Sequence, residues 1–202
     1  MLERPLLTVV ADDSRRPADD DAAVLRAIDD GDLRQALELL MGAHGDRVHG
    51  HCVRMLGDAA LAEDVLQQVF EQAHDALPRF RRQSQLSSWL LGIAHHRCLD
   101  ALKSSQRRRR RFVSVDQARE TASPEDDRDE RLDLQRAAAA LEDCVAALSA
   151  AARSALLLHY VEGISFERLG ALLHEKANTV QARVARAMPL LRQCLTDKGM
   201  QR

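Results

Sequence analysis

The sequence predicts an all-α protein: two small helical domains joined by an acidic flexible linker. Three observations carry this. Apolar residues make up 46% of the 202, yet only 3% are aromatic; an Ala- and Leu-rich balance of that kind suits packed helices and starves sheets of the side chains they favour. Apolar positions recur every three or four residues in two separate blocks. Between the blocks the period vanishes, and Ser, Pro and acids accumulate. A chain of this length holds one medium domain or two small ones.

The elements follow in order. Residues 1–19, with Pro5 and Pro17, read as a flexible tail. Periodicity starts near Asp20, where Ala23, Leu25 and Ile28 lead to Gly31. A second helix carries Leu33, Leu37, Leu40, Val48, Val53 and Leu56, and Gly42, Gly45 and Gly50 predict a break in its middle. Gly57 then falls in the C′ place and Asp58 near the next N-cap. The third helix runs from about Ala59 to Leu77 and ends at Pro78, burying Leu61, Val65, Val69, Phe70, Ala73 and Leu77. After the polar stretch Arg79–Gln85, a helix from about Leu86 to Arg110 buries Leu86, Leu90, Ile93, Leu99 and Leu102. This closes a first domain over residues 20–111.

Residues 112–133 form the linker, too polar to order itself, and a second domain spans 134–202. An Ala-rich helix runs from Leu134 to about Leu148. Ser149 caps Ala150–Glu162, which Gly163 ends. Ser165 caps Phe166–His174, and a last helix opens near Asn178 and carries Val180, Val184, Leu190 and Leu191. Pro189 predicts a kink or an end near Met188.

A formal net charge of -2 hides strong segregation. Arg79–Arg111 holds nine Arg and one Lys against a single acid, whereas Phe112–Gln135 holds eight acids against three Arg. A phosphate-binding surface beside a segment that avoids phosphate is the expectation. Cys52, Cys98, Cys144 and Cys194 lack the close spacing of a zinc or redox motif and read as buried thiols in a reducing cytosol. The N-terminal apolar run is too short for a signal peptide, and no stretch approaches the roughly 20 apolar residues needed to span a bilayer. The expected location is the cytoplasm. His44, His49 and His51 cluster and His95 and His96 are adjacent, but without ligand spacing, so neither metal nor cofactor is expected. No catalytic signature appears, and the chain does not read as an enzyme.

Three constellations bear on function. Phe166–His174, the polar connection Glu175–Ala177 and the helix opened by Asn178-Thr179 have the punctuation of a helix-turn-helix. The second helix of such a pair reads bases from its N-terminal residues. Here these are Thr179, Gln181 and Arg183, with Arg186 one turn on; Gln pairs with adenine and Arg with guanine.

In and just after AEDVLQQVF (Ala62–Phe70), Asp64, Gln67, Gln68 and Glu71 share one helix side. On residue chemistry alone that is a solvated face. The alternative is a docking surface for a partner helix carrying Arg or Lys.

In FRRQSQLSSWLLGIAHHRCLD (Phe80–Asp100), aromatic residues beside Arg and Ser suit unpaired bases. Trp89 sits on the apolar stripe with Leu90 and Ile93 and belongs to the core. Phe80, Arg81, Ser84 and Gln85 are the candidates for touching DNA. The helix then exposes His95, His96, Arg97 and Lys103 before Arg107–Arg111, a ladder suited to phosphates.

These stretches, in this order and with this linker, resemble the sigma-70 family, specifically its extracytoplasmic-function (ECF) group. The resemblance implies that AEDVLQQVF corresponds to region 2.2, with Asp64, Gln67, Gln68 and Phe70 holding the β′ clamp helices of core RNA polymerase. It implies that Phe80–Asp100 corresponds to regions 2.3 and 2.4, which capture a flipped base of the minus-10 element and melt DNA there. Gly163–Arg186 resembles region 4.2, the reader of the minus-35 element, and the acidic linker would thread the polymerase's RNA path. The implied partners are core RNA polymerase through its β′ clamp helices and β flap, promoter DNA, and an anti-sigma factor. Some positions depart from the family's usual pattern: Gln68 for Glu, Arg82-Gln83 in the base-capturing loop, His96 for Asn, Asn178 for Gly, and Pro189. Two rivals to a promoter-opening factor are a sigma-like decoy for an anti-sigma factor and a stand-alone helix-turn-helix regulator.

Overall fold

The computed structural model describes residues 17–111 and 129–200. Among them lie eight α-helices and no strand: α1 (Pro17–Asp29), α2 (Leu33–Leu56), α3 (Ala59–Ala76), α4 (Leu86–Arg111), α5 (Asp129–Ala147), α6 (Ala150–Leu156), α7 (Phe166–Leu173) and α8 (Ala177–Asp197). A 3₁₀ turn, Leu77–Arg79, follows α3, and a π-helical turn, Leu157–Val161, continues α6. Of the expected tail over 1–19 and linker over 112–133, residues 1–16 and 112–128 lie outside the described residues, and residues 17–19 belong to α1 rather than to a tail.

Helix ends follow local chemistry. Asp32 and Asp58 accept from the amides of Gln35 (2.9 Å) and Leu61 (3.1 Å), each satisfying one of the amides that a helix start leaves without an intrahelical acceptor. Gly57 ends α2 in the left-handed region at φ 67°, a conformation that favours glycine. Ser149 and Ser165 accept from Ala152 and Arg168 at the starts of α6 and α7.

Three local expectations are corrected. The break in α2 does not occur: Ala36, Leu40, His44, Val48, Cys52 and Met55 form one buried stripe along it, and packing of that stripe outweighs about 1 kcal/mol per glycine. Helix α5 starts at Asp129 rather than Leu134, because the charged residues assigned to the linker are mostly acceptable helix formers ahead of an Ala-rich run. Helix α8 passes through Pro189 and reaches Asp197. Pro189 is exposed, and the turns beyond it are anchored by buried Leu191 and by Cys194.

Cys194 corrects a fourth expectation. It forms a disulfide with Cys144 of α5, with Cα atoms 5.8 Å apart; only Cys52 and Cys98 are the buried free thiols expected of all four. Sequence spacing missed the bond because 50 residues of chain bring α5 and α8 side by side.

The two helical domains pack on one another. The larger core runs from α1–α4 into Cys144, Val145, Leu148, Ala152 and Leu156 of the second domain. A smaller core joins Ala155, Leu158, Ile164, Leu169, Val180 and Val184, and takes Leu91 from α4 of the first domain. Burying side chains of this size stabilises by about 1.5–3 kcal/mol each, so the interface shares the driving force of both interiors.

Candidate functional site

On α3, burial of Ala62, Val65, Val69, Phe70 and Ala73 against the bundle turns Asp64, Gln67, Gln68 and Glu71 to solvent in one row. Gln67 Nε2 donates to Glu71 Oε1 (2.9 Å), which orders the row. Alongside runs an open groove of about 620 Å³ between α2 and α3. Leu37, Met41, Leu66 and Phe70 form its apolar floor, and Glu63, Glu71 and Asp75 its acidic rim. Phe70 itself is only 5% exposed, so it serves the groove as floor. An apolar trough with carboxylates at its edge suits a basic amphipathic helix.

The Phe80–Gln85 segment is open on one side. Phe80 is half-buried with its ring 5.1 Å from that of Trp89, both packed on the core. Arg81, Ser84 and Gln85 are exposed. Arg82 adopts φ 57° and pairs with Asp29 of α1. Gln85 accepts from Arg168 of α7 (3.4 Å).

Helix α4 differs from the expectation. Leu90 through His95 are all buried, because the first domain covers one side of α4 and α6 and α7 cover the other. The exposure expected for His95 is therefore corrected: it is 6% exposed and hydrogen-bonded to Ser154 of α6. Burial, foremost, then His96 and His51, lower its pKa to about 4. Gly92 makes this approach possible, since a Cβ there would stand 2.4 Å from Leu172 Cδ1 of α7. His96 stays exposed, with Nδ1 donating to the Gly92 carbonyl (2.8 Å). Arg97 donates to Gln72 (2.8 Å), and exposed Lys103 lies 3.5 Å from Asp100.

The α7–α8 pair closes through a tight turn. Its backbone passes so near Gly170 that a Cβ would meet Glu175 O at 2.8 Å and Ala177 N at 2.9 Å. Thr179, Gln181 and Arg186 face solvent on the first turns of α8. Arg183 is half-buried and donates to Glu175 (2.5 Å), so it is held before any base reaches it.

Residues that the sequence did not single out hold the domains together. Glu162, its side chain 2% exposed, accepts from Arg47 (2.7 Å) and Arg54 (3.0 Å) of α2. Arg47 also donates to the Glu162 carbonyl (3.0 Å). His51, one turn from each Arg, is fully buried with its pKa lowered to about 3 by burial, then by Arg54 and Arg47. Arg153 of α6 donates to the carbonyls of Met55, Ala146 and Leu148. A signal existed: Arg47, His51 and Arg54 share one face of α2, and Glu162 is a lone acid ending an apolar run.

Residues 40–108 match the family model "Sigma-70 region 2", and residues 138–191 match "Sigma-70, region 4". This chain belongs to the sigma-70 family. RNA polymerase sigma factor CarQ of Myxococcus xanthus is 34% identical over 169 residues, covering 81% of this chain and 91% of that protein. The ECF RNA polymerase sigma factor SigC of Mycobacterium tuberculosis is 33% identical over 69% of this chain and 72% of its own length. The fold is that of the Bartonella quintana sigma factor RpoE, solved with the anti-sigma factor NepR (TM-score 0.60, 22% identity, 82% and 97% of the two chains). It is also that of CnrH, solved with the cytosolic domain of CnrY (TM-score 0.62, 21% identity, 88% and 97%). The protein is an ECF-type sigma factor, which binds core RNA polymerase and promoter DNA and directs transcription initiation. Sigma factors are transcription regulators rather than enzymes.

Proposed function

We propose a division of labour among the surfaces of this sigma factor. Asp64, Gln67 and Gln68, with Phe70 as the groove floor, hold the β′ clamp helices of the core enzyme. Phe80, Arg81, Ser84, Gln85, His96, Arg97 and Lys103 engage the minus-10 element, joined by His95 once the second domain leaves α4. Thr179, Gln181, Arg183 and Arg186 read the minus-35 element, and the β flap contacts the same domain. The α1–α4 bundle, residues 17–111, and the α5–α8 unit, residues 129–200, serve as the two working domains. The protein acts in the cytoplasm, carries no catalytic step of its own, and is held in check by an anti-sigma factor.

The observation that carries this reading is the solvent-facing row of Asp64, Gln67 and Gln68 beside an apolar groove, inside the matched region 2. Asp64→Ala or Gln67→Ala is expected to weaken core binding by about 3–10-fold, the size of a single interface contact of roughly 1 kcal/mol. Arg183→Ala should leave core binding intact and weaken minus-35 recognition. Equal loss of core binding in both classes would refute the division. Run-off transcription with core polymerase on genomic fragments tests the whole: discrete starts sharing upstream sequence are expected.

Burial of His95 gives the decoy reading one point in its favour, since a chain that never opened could not use α4 on DNA. Core binding without any transcript would select the decoy. Tight duplex binding without polymerase would select the stand-alone regulator.

A further inference from the structure

The Cys144–Cys194 disulfide sits at a mechanical corner of the molecule. It fixes α5 to α8, while α5 also packs against α2 of the first domain. The carbonyl of Ala146 in the last turn of α5, and that of Leu148 just beyond it, receive the same Arg153 guanidinium that bonds Met55 of α2. The helix stapled by the disulfide is therefore the helix that seats the arginine joining the two domains. We propose that Cys144–Cys194 is a reversible redox site whose oxidation state sets how tightly the second domain closes over α4.

The surroundings suit thiol chemistry. A cavity of about 440 Å³ opens beside the pair, with Arg183 and Arg186 on its wall. A cationic side chain beside a cysteine favours the thiolate, its reactive form; of the two, Arg183 is paired with Glu175 and Arg186 is exposed. Cys194 is half-buried and Cys144 1% exposed, so Cys194 is the sulfur that a reagent reaches first. Cys52 and Cys98 are both fully buried. Structural disulfides are rare in reducing compartments, where those that form tend to be transient and sensing.

The oxidant is a hydroperoxide. The Cys194 thiolate attacks the O–O bond and takes one oxygen as sulfenic acid, and the other oxygen leaves as water after gaining a proton. The Cys144 thiolate then attacks the Cys194 sulfur and expels hydroxide, which is protonated to a second water. Two thiols and one hydrogen peroxide thus give one disulfide and two waters. A dithiol reverses the reaction: its thiolate attacks Cys194, its second thiol resolves the mixed disulfide, and two protons go to the released cysteines. Once reduced, α5 is held to α8 by packing alone, and the seat of Arg153 loosens. The oxidised form holds His95 under α6; the reduced form opens more often, and apparent affinity for a partner that needs the open form rises with the open fraction.

The test uses the full chain treated with hydrogen peroxide or with dithiothreitol, beside the C144S/C194S double variant. Mass spectrometry should show loss of two hydrogens at this pair on oxidation. Amides of α6 and of the end of α2 should exchange about tenfold more slowly in the oxidised protein, and core polymerase should bind it about tenfold more weakly. The double variant should match the reduced protein in either reagent; if it fails to fold, the oxidised and reduced wild-type forms still make the comparison. Three results would overturn the proposal: no bond on peroxide treatment, equal interface exchange in both states, or a peroxide response surviving in C144S/C194S. Only the polymerase readout rests on the proposed function, so absence of core binding in both redox states, with exchange still shifting, would count against that reading and leave the redox site standing.

Discussion

Helices α3 and α4 are neighbours in one bundle and present opposite faces to the world. Helix α3 buries one stripe and turns its acid-amide row to solvent, as an amphipathic helix at a surface does. Helix α4 is buried all round from Leu90 to His95, as a helix covered on two sides must be. Yet both lie in the stretch that matches sigma-70 region 2. The contrast separates a surface available at once from one that is available only after the domains part. On the proposed division of labour, a first polymerase contact through α3 can precede opening, whereas tight core binding and promoter contact through the middle of α4 must follow it.

The sharpest way to break this comparison uses adjacent leucines. Leu90 belongs to the first domain's core and Leu91 to the second's. Leu90→Ala should cost about 2–5 kcal/mol of stability in the first domain. Leu91→Ala should lose a comparable amount from domain closure while the first domain stays folded. Denaturant unfolding combined with hydrogen exchange distinguishes them, and identical exchange maps would refute a two-sided α4.

Acid comes next. His51 and His95 are neutral when folded, with pKa values lowered from 6.5 to about 3 and about 4. Below pH 6.5 the opened chain binds protons that the closed chain refuses. Closure is thus fully present above pH 6.5 and weakens, by a few kcal/mol, as pH falls toward 4. Around His51 stand Arg47, Arg54 and Glu162; around His95 stand His96, His51, Glu175 and Arg183. Small-angle scattering across this window should show expansion, and a constant radius to pH 4 would contradict it.

Glu162→Ala should follow at about 2 kcal/mol. It strips two guanidinium groups of their partner, and the loss of a buried pair is discounted because Arg47 and Arg54 are each about a third exposed. Faster exchange in α2 and α6 is the readout. Arg168→Ala, which removes the exposed contact to Gln85, should stay within about 0.5 kcal/mol and marks the floor of the scale.

The row on α3, the caps at Asp58, Ser149 and Ser165 and the α7–α8 pair were all legible, because each is written by residues within a few positions of one another. What escaped depends on distant parts of the chain. The stripe that keeps α2 whole works through tertiary packing, which no count of its glycines reveals. His95 looked like part of an exposed basic ladder because its cover, Ser154, lies 59 residues away. Cys144 and Cys194 found each other only through the docking of α5 on α8. Glu162, a single acid at a helix end, resembles ordinary punctuation until two arginines from α2 close on it.

Arg153 grips the first domain by a main-chain oxygen, the carbonyl of Met55, and every residue type has that atom. Glu162, by contrast, grips side chains that another sequence need not supply. In a chimaera carrying the first domain of a distant relative, the arginine's hold would survive wherever the helix backbone keeps its course. The carboxylate's hold would be lost unless basic residues stood at the places of Arg47 and Arg54. Hybrid proteins of this family would thus inherit the fit between their halves but not its strength.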